Sequence, residues 1–163
     1  SRLIWAIQGI TARAWGFDFR TIPSAGALYP TETYPVVNNV DGISPGIYHY
    51  EIKKGQLALI REGRFGHELS RAALGQEMLE AAACVFVWTA VVERSKWKYR
   101  ERAYRYIYMD AGHIGQNLYL AATGLGLGCC TVGAFFDEEV DQLIGIDGKS
   151  EISLYLGAVG QIR

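Results

Sequence analysis

Residues 102–123 read RAYRYIYMDAGHIGQNLYLAAT, and the periodicity of this stretch organises the rest of the chain. Tyr104, Ile107, Tyr108, Ala111, Ile114, Leu118 and Ala121 recur at helical spacing as one apolar stripe. Met109, Tyr119 and Leu120 add apolar surface elsewhere, so the predicted helix is apolar nearly all round. Such a helix is expected to be buried, as a central helix or against a second subunit. Asp110, His113 and Asn117 fall on one face, where Asp110 and His113 could touch. No third ligand stands at a metal-binding spacing, so a hydrogen-bonded network is expected there and no metal site. Gly112 and Gly115 are expected to permit close helix packing. The run Gly124-Leu125-Gly126-Leu127-Gly128 follows a helix and precedes a strand, the reverse of a dinucleotide-binding loop, and reads as a C-cap and turn.

Upstream, residues 84–92 are almost continuously apolar, as in a central strand buried on both faces. Residues 33–40, 46–52 and 56–61 are separated by turn signals and predict a three-stranded meander. Residues 3–10 predict an opening helix, and residues 65–74 and 76–83 two short helices broken at Gly75. Residues 16–31 hold Gly16, Pro23, Gly26 and Pro30 with little periodicity and read as a long loop. Downstream, residues 129–136 predict a strand, Asp137 caps a helix through Leu143, and residues 151–159 form a last strand. The fold class is α+β, one domain over residues 1–163, with a mixed, mainly antiparallel sheet and a long central helix.

The 163 residues are half hydrophobic and carry a formal net charge of -1. That balance argues against nucleic acid or an anionic membrane as partner, since strongly basic domains usually meet those. Neither a signal peptide nor an 18-residue apolar run is evident, so the expected location is cytoplasmic. Cys84, Cys129 and Cys130 make neither a disulfide framework nor a CxxC clip and read as small buried hydrophobes.

Two runs could carry chemistry. Pro23-Ser24-Ala25-Gly26 places small residues between prolines, which lets backbone approach a ligand closely, and equally describes a rigid surface loop. Lys98 and Tyr99 are credible proton-transfer groups, and equally part of a solvated basic face with Glu93 and Glu101. Neighbours on a helix point apart, so if both act, the stretch should be irregular or one of them should orient the other.

Taken together, RTIPSAGALYPTETYPV (20–36), GIYHY (46–50), KWKYRERAYRYIYMDAGHIGQNLYLAATGLGLG (96–128) and GAFFDEEVDQLIGID (133–147) with SEISLYLGAVG (150–160) resemble the nitroreductase-like FMN enzymes, in particular the SagB-type dehydrogenase branch. The resemblance implies a three-layer α+β flavoprotein that shares FMN sites across a homodimer. It matches Pro23, Ser24, Ala25 and Gly26 to the flavin loop, Val132, Gly133 and Ala134 to backbone at the ring edge, and Lys98-Tyr99 to a catalytic pair. The implied reaction oxidises a thiazoline or oxazoline of a modified peptide to the azole. A base removes a ring proton while hydride passes to flavin N5. The family's Arg-x-Ser-x-Arg phosphate segment would precede residue 1, so Arg20 and Arg163 are the expected phosphate partners. The alternatives are an NAD(P)H-dependent nitro or quinone reductase, and a non-catalytic flavin-binding or partner-binding subunit.

Overall fold

The computed structural model describes residues 2–162. Helix α1 (Arg2–Gln8) leads into a hairpin of β1 (Ile10–Ala14) and β2 (Phe17–Arg20). A ten-residue loop with a 3-10 turn at Ala25–Ala27 then reaches β3 (Thr31–Val37), β4 (Gly46–Glu51) and β5 (Gln56–Glu62). There follow α2 (Gly66–Ala72), α3 (Met78–Ala81), β6 (Cys84–Val91), α4 (Glu93–Tyr99), α5 (Ala103–Gly124), β7 (Leu127–Val132), α6 (Asp137–Ile144) and β8 (Glu151–Gln161).

The main sheet has the order β5-β4-β3-β6-β8-β7, and every described pairing in it is antiparallel. The meander and the central β6 stand as the sequence predicts, and six of the eight β6 residues are buried. Helices α2, α3 and α6 cover one face through Leu69, Leu79, Val140 and Ile144. Helices α1 and α5 cover the other through Ile4, Ile7, Ile114 and Leu118, which completes three layers. Trp88 is wholly buried in this second layer, where Gly157 makes room for it.

Several local expectations are corrected. Residues 10–20 are a hairpin, so the predicted loop over 16–31 begins only after Arg20; Trp15 and Gly16 both adopt positive φ (52° and 79°), the backbone of a tight hairpin turn. The opening helix ends at Gln8, and β7 ends at Val132. Asp137 is the first residue inside α6, while Phe136 occupies the N-cap without a side-chain bond. A Cβ on Gly115 would lie 3.1 Å from the Tyr155 ring, whereas one on Gly112 would meet nothing, so only Gly115 serves close packing. Helix α5 buries Ile107, Ala111, Ile114 and Leu118 but leaves Tyr108, Met109 and Leu120 more than half exposed. Its apolar surface is therefore only partly covered within one chain.

A Cβ at Gly157 would fall 2.5 Å from Trp88 and 2.7 Å from Leu118. Gly157→Ala is expected to destabilise the protein by about 1–3 kcal/mol, read from urea unfolding, because overpacking a filled core forces backbone or rotamer shifts.

Candidate active site

The loop before β3 is fastened along α5. Asn117 Nδ2 donates to the carbonyl oxygens of Ala6 (3.0 Å) and Thr21 (3.3 Å), which ties α1 and the start of the loop to the helix. About two turns earlier, the buried Asp110 carboxylate accepts from Ser24 Oγ at 2.5 Å and from the Ala25 N–H. Ser24 Oγ in turn accepts from the Tyr29 N–H at 3.0 Å, closing the loop on itself. Burial raises the Asp110 pKa above the ordinary carboxylate value, with the Ser24 and Ala25 bonds pulling the other way. The hydrogen-bonded network expected on this face of the helix forms through Asp110 and Asn117, while His113 is exposed and makes none of these bonds.

With the loop held this way, Gly26 (φ 64°) and Ala27 (φ 53°) lie in the left-handed region and Gly26 stands exposed. A Cβ on Gly26 would lie 2.7 Å from the Tyr99 hydroxyl and 2.8 Å from Lys98 Nζ. The two tips thus converge on one point of the loop backbone, although the residues are neighbours in a helix. They can do so because α4 ends there: Arg100 takes φ 51°, and Tyr99 is held edge-on against Tyr106 at 4.8 Å. Lys98 Nζ sits 5.3 Å from the Tyr99 ring centroid.

Val132, Gly133 and Ala134 leave the end of β7, Val132 buried and the other two exposed. A Cβ on Gly133 would lie 3.7 Å from the Tyr155 ring, whose hydroxyl is braced by the Thr131 hydroxyl at 2.6 Å. Gln76 Nε2 donates to the Ala134 carbonyl at 3.1 Å. These described contacts link the segment to α5 through Tyr155 and Gly115 rather than directly to the Gly26 loop. Arg163 lies outside the described residues.

Arg20 turns into a separate cleft beside the loop. Its Nη1 donates to Gln8 Oε1 at 2.9 Å and its guanidinium lies over the Tyr29 ring at 4.5 Å. Burial lowers its pKa, with the nearby Glu32 carboxylate acting against that. Across the cleft, Glu32 accepts from Arg94 and pairs with His49 Nε2 at 2.8 Å. Desolvation pushes Glu32 up, but His49 and Arg94 outweigh it and hold the carboxyl below its usual value. Sequence reading missed this trio, since residues 32, 49 and 94 meet only through β3, β4 and the start of α4.

The geometry has relatives of known kind. The chain belongs to the Nitroreductase family. The family profile matches residues 1–161. A Methanocaldococcus jannaschii protein with a provisional nitroreductase designation is 40% identical over 161 residues, covering 99% of this chain and 78% of the relative. Among solved structures, one of similarly provisional name from Anabaena variabilis superposes with TM-score 0.91 at 34% identity, covering 97% of this chain and 33% of that one. The Escherichia coli microcin synthetase McbBCD complex with truncated pro-MccB17 bound superposes with TM-score 0.83 at 25% identity, covering 99% of this chain and 62% of that one. The chain therefore spans a third of the Anabaena structure and under two thirds of the McbBCD component. Members of this family are generally flavin-dependent oxidoreductases. No helix among the described residues is long and apolar enough to cross a membrane.

Two outcomes follow from the buried polar contacts. Asp110→Ala removes a buried acceptor from Ser24 and Ala25 and is expected to cost about 1–3 kcal/mol in chemical unfolding, with Asp110→Asn costing less. The Glu32 hydrogen bond raises the His49 pKa, opposed by its burial. The pair's stabilisation is then complete below about pH 6.5 and fades as pH rises through the higher folded value. An NMR titration of the His49 ring should have its midpoint above about 6.5, falling in Glu32→Gln.

Proposed function

We infer that this chain is an FMN-dependent oxidoreductase of the SagB type that oxidises peptide thiazoline or oxazoline rings to azoles, working as a homodimer. The observation that carries the reading is the convergence of Lys98 Nζ and the Tyr99 hydroxyl on the exposed backbone of Gly26. A proton-transfer pair set against a loop backbone that carries no side chain of its own suits a flat cofactor with a ring substrate laid beside it. The McbBCD likeness supports a peptide substrate, since that complex holds a peptide precursor.

The residues fit the cofactor. Gly26, Gly133 and Ala134 are exposed and carry no side chain or a single methyl, so their backbone can approach a flat ring. Pro23, Ser24, Ala25 and Gly26 would hold one part of the flavin and Val132, Gly133 and Ala134 the ring edge. Arg163 would offer charge to the phosphate, with Arg20, whose buried Nε has no acceptor among the described residues, as the alternative donor. Bound FMN supplies the two-electron acceptor that the protein lacks. Lys98 and Tyr99 take the proton from the ring carbon, one as base and the other orienting it. The apolar face left open at Trp5, Tyr108, Met109 and Leu120 supports a second copy packed against α1 and α5.

The test has two stages. Purified protein incubated with FMN and gel-filtered should elute at dimer size with a flavin spectrum. Reconstituted protein should convert a thiazoline peptide to the thiazole, with Lys98→Ala at least a hundredfold slower while retaining flavin, the range of a general-base contribution. Retained flavin with nitroaromatic reduction but no azoline turnover would favour the reductase reading, and failure to retain FMN would contradict both.

A further inference from the structure

The loop carries chemistry on two sides. Gly26 faces Lys98 and Tyr99, while Leu28 and Tyr29 line an open cleft of about 570 Å³ that also takes in Arg20, Lys53, Lys54 and Arg94. Four cationic side chains there face two carboxylates, Glu32 and Glu51. Both carboxylates are engaged already: Glu32 by Arg94 and His49, Glu51 by Lys54 at 2.6 Å. Arg20 and Lys53 have no carboxylate within ion-pair distance among the described residues, and the buried Arg20 Nε has no acceptor. A charge that is partly buried and unpaired is costly, and an anion entering the cleft would offset that cost. The apolar sides of Leu28 and Ile52 give such a ligand a wall to lie on.

The cleft is also coupled to the candidate catalytic pair. Arg94 lies in the first turn of α4 and Lys98 stands four residues later, so both lie on one face of the helix about 6 Å apart along its axis. Leu28 and Tyr29, which line the cleft, follow Gly26 in the same loop, so a substrate over Gly26 lies next to it in the chain.

We propose that the cleft lined by Arg20, Lys53, Lys54 and Arg94 is a subsite for a carboxylate of the peptide substrate, an acidic side chain or chain terminus that anchors the peptide while its ring lies against Gly26. A planar two-oxygen anion suits guanidinium donors and a lysine point charge. A neutral side chain would leave the unpaired cations as they are. This rests on the peptide-oxidation reading for the ligand's identity, though not for the existence of the site.

The test uses two probes differing by one charge, N-acetyl-glutamyl-glycinamide and N-acetyl-glutaminyl-glycinamide, titrated into 15N-labelled chain at low salt with and without saturating FMN. The glutamyl peptide should produce saturable amide shifts at Leu28, Tyr29, Ile52 and Lys53, and the glutaminyl peptide should not. Lys53→Glu, an exposed turn position that leaves packing intact, should weaken glutamyl binding about fivefold, the scale of one exposed charge pair. Equal shifts from both peptides, or unchanged affinity in Lys53→Glu, would overturn the subsite. Displacement of the glutamyl peptide by FMN would assign the cleft to the cofactor phosphate instead. Cleft shifts that persist in protein unable to retain FMN would leave the subsite standing while the flavin reading fails.

Discussion

Ser24 and Asp110 lie 86 residues apart in sequence, yet their side chains meet at 2.5 Å, and the rest of the site depends on that meeting. Asp110 is buried on α5, so its carboxylate has no water to turn to and must find donors. The loop supplies two, Ser24 Oγ and the Ala25 N–H, and is thereby pinned at the two residues that precede Gly26. Ala27 and Tyr29 carry positive φ (53° and 46°), a backbone that non-glycine residues keep only when their surroundings enforce it. The buried carboxylate and the Tyr29 N–H bond to Ser24 are that enforcement.

Helix α5 therefore does more than fill the core. Asp110 and Asn117 hold the loop, while Gly115 admits Tyr155, which braces the segment that runs through Gly133. Both stretches that resemble flavin contacts thus hang from one rigid element. Helix α4 is the counterpart at the other wall, with Arg94 at its start serving the charged cleft and Lys98 at its end serving the loop. Cys84 and Cys129 stay outside this chemistry, since burial pushes the Cys84 thiol up to about 12 and the Cys129 thiol to about 11, where neither is a nucleophile at neutral pH.

What could be read in the sequence was what local pattern controls. Residues 84–92 announce a central strand because both faces are apolar, and the meander announces itself through its turns. The β1–β2 hairpin was illegible because its turn uses Trp15 at positive φ, where asparagine, aspartate or glycine would be the usual signal. The Lys98-Tyr99 pair was legible as chemistry but not as geometry. Helical neighbours point apart by rule, and only the early end of α4 at Arg100 lets the tips converge. The partners of Asp110, Glu32 and Arg20 were beyond local reading, since each is chosen by how distant elements dock.

The most direct test of the central claim, that a flavin lies on the loop that Asp110 pins, is to locate FMN by NMR. Intermolecular NOEs from the flavin ring methyl protons are predicted to reach Gly26 Hα and the Ala134 methyl in the FMN-loaded protein. NOEs confined to residues remote from both segments, with Gly26 and Ala134 unaffected, would contradict it.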